Sequence, residues 1–493
     1  MQAKHAKSLL PAALLAPLLL TACAVGPDYV KPKTETPESF KETQGWKVAQ
    51  PADTKLPSKW WGIYNDPLLN DLEEQVNVSN QTIAQAEAQY REARALVRGA
   101  QASYFPTVTA NASHTRSGGA ARSTGTAGTG TGTATGASAS PATNNLLSVD
   151  ASWEPDLWGR VRRNVEANKT SAQASAADLQ AARLLAQAQL AQDYFQLRVL
   201  DADRQLYDKT LEDYKKSLEL TRNQYQAGTV PKENVVLAET QLRTTEAQAI
   251  DFDAQRAQME HAVALLVGKP ASVFSIKPNP NFDTAVPAIP VGVPSALLER
   301  RPDIANAERL AASANAKVGL AESAYFPDLT LSGQGGYQSS SFSHWITAPN
   351  RFWSIGPSIA QTLFDGGALR AATDQARASY DAAVANYRQT VLTGFQEVED
   401  NISSLRIYGQ EMDKQREAVE LSRRSVELTR NQYKAGVVAY LDVITVETTA
   451  LSNERALVDL LNKQLSASVL LIKALGGGWD VSQLPDDDAV SKR

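Results

Sequence analysis

Cysteine occurs once in the 493 residues, histidine four times and methionine three times. A single cysteine excludes an internal disulfide and a thiolate metal cluster. The histidines, His5, His114, His261 and His344, lie far apart and share no ligand spacing. Aromatic residues make up only 7%, poor material for one large globular core. No apolar run reaches the roughly 20 residues of a membrane-spanning helix, so any membrane crossing after the N-terminus must be made by strands. Gly-x-Ser-x-Gly, His-Glu-x-x-His and phosphate-loop motifs are missing, and no enzyme, bound cofactor or metal site is expected. The net charge of −5, from 49 basic and 54 acidic residues, argues against a general nucleic-acid binder. What remains is 43% hydrophobic and 21% charged, with long Ala-, Gln- and Leu-rich stretches suited to extended helices packed through small residues.

Lys4, His5 and Lys7 precede an apolar run from Leu9 to Leu20, interrupted by Pro11 and Pro17. A basic start, a short apolar stretch and small residues after it read as a cleaved export signal over 1–22. The sole cysteine ends that run in Leu20-Thr21-Ala22-Cys23, which is similar to the lipobox of bacterial lipoproteins. That similarity implies acylation of Cys23 as the first mature residue. Several acyl chains, each buried methylene contributing about 0.8 kcal/mol, give stable anchoring. Ala24 rather than Asp follows, which in that class favours the outer membrane.

The chain then repeats itself. Leu220-Thr221-Arg222-Asn223-Gln224-Tyr225-Gln226-Ala227-Gly228 returns as Leu428-Thr429-Arg430-Asn431-Gln432-Tyr433-Lys434-Ala435-Gly436, an offset of 208. Gly159 and Gly367, Glu239-Thr240 and Glu447-Thr448, and Gly268 and Gly476 keep it. Tyr104-Phe105-Pro106 returns as Tyr325-Phe326-Pro327 at an offset of 221. Copy one is therefore the longer between its Tyr-Phe-Pro element and its glycine. The Gly/Thr/Ala/Ser tract Ser117–Ser140 falls there, with the composition of a flexible loop.

Each copy reads as helix, two strands, long helix, helix. No proline occurs from Gly159 to Gly228, and Tyr207, Leu211, Tyr214, Leu218 and Tyr225 follow a seam near 3.5 residues per turn. Val419, Val426 and Tyr433 take the corresponding places in copy two. At 1.5 Å per residue such a stretch makes a rod of about 100 Å, and the flanking helices, about Leu68–Ala102 and Lys232–Val267, make roughly 50 Å each. Two short helices end to end therefore match one long one. Gly228 and Gly436 mark sharp breaks at one tip.

The strands, expected at about 104–115, 146–156, 326–338 and 352–363, are amphipathic. Leu147, Val149, Ala151 and Trp153 alternate with Ser148, Asp150, Ser152 and Glu154, and Leu329, Leu331 and Tyr337 with Thr330, Ser332 and Gln334. Trp353, Ile355 and Ile359 alternate with Ser354, Gly356 and Ser358, with Pro357 awkward among them. Length and alternation fit tilted membrane strands around water; a half-buried sheet in a soluble sandwich is the alternative. Four strands cannot close a barrel, which takes about eight. If they enter lipid, the chain must oligomerise.

Several motifs, in order on this duplicated scaffold, carry a resemblance. They are Val25-Gly26-Pro27-Asp28-Tyr29-Val30-Lys31-Pro32, Trp60-Trp61, Asp66-Pro67-Leu68, Asp156-Leu157-Trp158-Gly159-Arg160, Leu298-Glu299-Arg300-Arg301-Pro302-Asp303-Ile304 and Phe364-Asp365-Gly366-Gly367. Together they resemble the outer-membrane efflux channels, TolC-like, of the OprM/NodT lipoprotein branch, over essentially the whole mature chain. The resemblance implies an α+β membrane protein of a Gram-negative bacterium, a homotrimer with a twelve-stranded β-barrel, four strands per chain, on a periplasmic α-helical barrel. It implies a periplasmic adaptor and an inner-membrane pump, proton-driven, as partners, and a passive exit duct for drugs, solvents or metal ions. Expected divisions are the lipid-anchored segment 23–67, repeat one 68–268, a Pro-rich linker 269–302, repeat two 303–476 and a tail 477–493.

In that family acidic residues just past the second tip ring the closed aperture. Asp442, in Ala439-Tyr440-Leu441-Asp442-Val443, matches one such position, while Thr445 stands where some relatives have the next carboxylate and Asn234 is the copy-one equivalent. Asp442 is expected either to focus a negative field at the aperture or to serve as a helix N-terminal carboxylate; both can hold. Tyr440 and Leu441 are candidates for narrowing the same opening, and the tips at Gly228 and Gly436 for contacting the adaptor. Arg301-Pro302-Asp303 reads as a helix start, and Asp156 and Asp365 as strand-to-helix turns. A coiled-coil lipoprotein or adhesin without a pore is the competing function.

Overall fold

The computed structural model describes residues 24–42, 57–118, 141–279, 282, 285–289 and 293–492. The export signal, Cys23, most of the Gly/Thr/Ala/Ser tract and parts of the Pro-rich linker lie outside the described residues. The elements are α1 (Pro67–Ser79), α2 (Gln81–Ala102), β1 (Thr107–Ser117), β2 (Ala142–Trp153), α3 (Arg160–Gln226), α4 (Lys232–Leu266), α5 (Pro302–Ser323), β3 (Asp328–Ser339), β4 (Arg351–Ala360), α6 (Ala368–Lys434) and α7 (Tyr440–Ala474).

The duplication is kept residue for residue in the two helical hairpins, α3–α4 and α6–α7. Both α3 and α6 have 67 residues, about 100 Å at 1.5 Å per residue, and both α4 and α7 have 35. The bounds of α6 and α7 follow those of α3 and α4 at the offset of the sequence repeat. Each long helix opens on a left-handed glycine, Gly159 or Gly367, beside an aspartate that accepts from the first-turn amides. Asp156 takes Val161 and Arg162 N–H, and Asp365 takes Gly367 and Leu369 N–H.

At the other end each closes in a Schellman motif. Gly228 N–H donates to Tyr225 O and Thr229 N–H to Gln224 O, with the same pair of bonds from Gly436 and Val437 in copy two.

One expectation fails. The first helix is not continuous from Leu68 to Ala102; it breaks at Asn80. That side chain accepts from Thr82 and Ile83 N–H and donates to Leu266 O at 2.8 Å. The cause is a close crossing: Gly268, with φ +68°, lies so near Ser79 that a Cβ there would collide with the Ser79 carbonyl oxygen. Copy two repeats the device with Gly476 against Arg300 O, where the single turn Leu297–Arg300 gives way to α5. Arg301 sits in that break, buried, bonded to Asp303, Glu397 and Ala474 O.

The four strands form one antiparallel sheet in the order β1-β2-β3-β4, the two copies joining through β2 and β3. The strand ends are shifted slightly from expectation, in β1 and β3 because the turns at Tyr104-Phe105-Pro106 and Tyr325-Phe326-Pro327 precede them. Of the two hairpin links, 118–141 is longer than 340–350, and this difference accounts for the change of offset between the copies.

Register sorts the side chains by face. Val108, Ala110, Val149, Trp153, Leu331, Trp353, Ile355 and Ile359 share one face, and Thr109, Asn111, Ser148, Asp150, Ser332, Gln334 and Ser354 the other. On the apolar face Val149, Trp353, Ile355 and Ile359 are largely exposed.

The two largest apolar clusters among the described residues lie along the helical rods. One packs Trp60, Trp61, Tyr64, Leu190, Phe195, Leu465 and Ile472 around the middle of the rods. The other packs Tyr207, Leu211, Tyr214, Leu218, Phe252, Tyr433, Tyr440 and Val443 toward the glycine tips. Each fully buried Leu or Phe contributes about 1.5–3 kcal/mol.

The N-terminal segment is strapped to the body. Val25 N–H donates to Trp158 O, and the buried Arg163 donates to Val25 O, Gly26 O and Asp28. Asn315 holds Pro27 O, and Tyr29 donates to Glu308 at 2.6 Å. Ala24 therefore lies beside Gly159, at the junction of sheet and rods.

Candidate functional site

The glycine tips bring two helical hairpins, α3–α4 and α6–α7, side by side. Arg430 on α6 lies between two carboxylates, Glu447 of α7 (Nε to Oε1, 2.6 Å) and Asp213 of α3 (Nη1 to Oδ2, 3.3 Å). Burial pushes the Glu447 carboxyl above its ordinary range, and the Arg430 guanidinium opposes that shift. Tyr433 donates to Gln224 at 2.7 Å, and the Tyr440 and Ser217 hydroxyls lie 3.2 Å apart. Tyr433 and Tyr440 pack with ring centroids 5.3 Å apart. Above these contacts a groove of about 590 Å³ runs between α3 and the α6–α7 hairpin, lined by Asp213, Tyr214, Arg423, Arg430, Glu447 and Glu454 among others.

Asp442 is exposed on the first turn of α7 and accepts the Ala439 N–H through Oδ2 at 3.0 Å. It therefore caps its helix while presenting a carboxylate to solvent. Leu441 beside it is exposed. Tyr440 is not: it is 3% exposed, turned into the cluster against α3. Held by Ser217 and packed at a tilt against Tyr433, it is a packing residue between the two copies of this chain. Gly228 and Gly436, with φ +72° and +71°, form two neighbouring tips.

Sequence reasoning does not single out the triad of Arg430, Asp213 and Glu447. A signal is present in the recurrence of Arg222 and Glu239 as Arg430 and Glu447, for Arg222 pairs with Glu239 as Arg430 does with Glu447. Asp213 has no such signal, because Leu421 stands at its copy-two position. His114, His261 and His344 lie on β1, on α4 and in the β3–β4 link, and the structure does not bring them together.

A sheet with one apolar and one polar face is set at one end of helical rods of about 100 Å, the build of an outer-membrane channel chain. The chain belongs to the outer membrane efflux protein family, whose model matches residues 72–269 and 293–477. It is 29% identical over 474 residues to the probable efflux pump outer membrane protein TtgC of Pseudomonas putida, covering 96% of each chain. It is 27% identical over 464 residues to the cation efflux system protein CusC of Escherichia coli, covering 94% of this chain and 97% of that one. The solved structure of the outer-membrane channel OprN superposes with a TM-score of 0.84 at 31% identity, over 93% of this chain and 100% of that one.

Proposed function

We propose that this chain is the outer-membrane duct of a tripartite efflux system, working as a homotrimer. Three sheets of four strands close a twelve-stranded barrel, apolar face to lipid and polar face to water, and three pairs of hairpins close a helical tunnel below it. The observation that carries this reading is the open sheet. Among the described residues neither β1 nor β4 has a second neighbour, and an unpaired edge in lipid costs several kcal/mol for each unsatisfied group. Sister chains are the edge partners that end this cost.

Solutes diffuse through a water-filled conduit, so the chain supplies no chemistry. The energy comes from an inner-membrane pump, proton-driven, joined through a periplasmic adaptor that meets the tips at Gly228 and Gly436. Acylated Cys23, leading into the strap at Val25–Tyr29, anchors the chain at the foot of the barrel. Control lies at the tips, where three copies of Asp442 set a negative field on the aperture and the Arg430 pairs hold the copies together. Drugs, solvents and metal ions are the cargo classes in keeping with the relatives.

Single-channel recording of the purified lipoprotein in planar bilayers tests this. Discrete conductance steps are expected, larger for Asp442→Ala; no conductance from either protein contradicts the duct.

A further inference from the structure

The two hairpins of the sheet carry charge of one sign. Residues 105–149 and 329–364 contain no aspartate, glutamate or lysine, although the chain has 54 acidic residues. Their charged residues are Arg116, Arg351 and Arg122, the last outside the described residues, with His114 and His344 besides. Lower on the sheet the carboxylates are already engaged. Asp150, on the polar face, accepts from Asn111 and Ser148. Glu154 and Asp328 both pair with Arg160 where the sheet meets the rods.

Register puts the two described arginines on the apolar face. On β1 that face runs Val108, Ala110, Ala112, His114, Arg116, and on β4 it runs Arg351, Trp353, Ile355, Pro357, Ile359. Each arginine therefore stands at the end of its strand farthest from the rods. Both are exposed, and neither has an ion pair among the described residues. The polar face could hold a cation in water, yet at this end it offers Ser113, Thr115, Ser117, Asn144 and Gln338, all neutral.

Aromatic residues mark the level. Tyr337 is in register with Arg351, and Trp345 Nε1 donates to Tyr337 O at 3.3 Å. The Phe342 and Trp345 rings lie 5.7 Å apart, and Trp353 is 75% exposed. Aromatics so placed form the girdle at the margin of the hydrocarbon, where an outward arginine costs far less than at the midplane.

We propose that Arg116 and Arg351 hold the phosphates of an outer-leaflet glycolipid, the lipid A of lipopolysaccharide, against the outer end of the sheet. The inference rests on the barrel proposed above, which sets the apolar face in lipid and points the hairpins outward. A guanidinium meets a phosphate through two parallel N–H donors, and the girdle beneath offers apolar surface to the acyl chains. With no carboxylate in either hairpin, nothing there repels an anionic headgroup. In the closed barrel β4 of one chain runs beside β1 of the next, so both arginines flank one joint and the site recurs around the rim.

The test titrates the full-length, membrane-extracted protein with bisphosphorylated lipid A, with its monophosphorylated form of the same acyl chains, and with phosphatidylglycerol, read by native mass spectrometry. The bisphosphorylated lipid should bind about ten-fold more tightly than either of the others. Arg116→Gln combined with Arg351→Gln should remove most of that preference, and Arg116→Lys with Arg351→Lys should restore part of it. Equal binding of the three lipids by the parent, or an unchanged preference in the glutamine variant, overturns the site. If the particle still holds three chains, that result leaves the duct standing; a particle of one chain overturns both.

Discussion

Arg430 reaches from the second copy to Asp213 of the first, 3.3 Å from guanidinium to carboxylate, while its Nε stays on Glu447. Glu447 is buried, and its Oε2 has no hydrogen-bond partner among the described residues. Arg430 is a third exposed while Glu447 is buried, so removing the cation leaves a buried carboxylate uncompensated at a cost of about 1–3 kcal/mol. Arg430→Ala should therefore loosen the hairpins at the tip and raise single-channel conductance, and adding Glu447→Gln should recover part of the lost thermal stability. Unchanged conductance in the single variant removes Arg430 from the closure.

Asp203 gives the protein a pH dependence of definite sign. It is buried near Tyr207, Asp459 and Arg455, and burial, with the Asp459 charge adding, pushes its carboxyl up to about 7 from 3.8. The folded chain therefore binds a proton there that the unfolded chain releases. Below about pH 4 the group costs nothing; the cost grows through the interval up to about pH 7 and is complete above it, on the order of 4 kcal/mol. Asp203→Asn should raise the unfolding temperature at pH 8 and leave it nearly unchanged at pH 4. A variant less stable than the parent at pH 8 contradicts this.

Asp442 has two roles that one pair of substitutions separates. Asn keeps an oxygen to accept the Ala439 N–H and loses the charge, whereas Ala loses both. The charge at the helix N-terminus contributes about 0.3–1 kcal/mol, so Asp442→Asn should barely change stability. Its cation-over-anion permeability ratio, read from reversal potentials, should fall. An unaltered ratio leaves Asp442 as a cap only.

Cys23→Ala should abolish acylation, read from the mass of the N-terminal peptide. The strap contacts of Val25, Asp28 and Tyr29 with Arg163 and Glu308 do not depend on acylation. The unacylated chain should keep its helical circular dichroism while its recovery in outer-membrane fractions drops. Wild-type protein lacking acyl mass on Cys23 contradicts the anchor.

The helical plan is legible because it is written twice. The glycines at 159, 228 and 268 recur at 367, 436 and 476, and a boundary that occurs twice at one offset is hard to mistake. The face pattern of the sheet is legible for a similar reason, since alternation of period two survives any shift of the strand ends. The break at Asn80 is hidden: its cause is Gly268, at the far end of copy one, and an asparagine inside a helical pattern carries no mark of that crossing. The burial of Tyr440 is hidden as well. Which side of a hairpin tip faces the opening depends on how copy two leans on copy one, a relation fixed by Ser217 and Gln224 rather than by anything near residue 440.

Native mass spectrometry of the detergent-extracted, full-length protein tests the central claim most directly. Three chains per particle are predicted, because β1 and β4 each need an edge to pair with. A monodisperse particle of one chain, with both edges already covered, would contradict it.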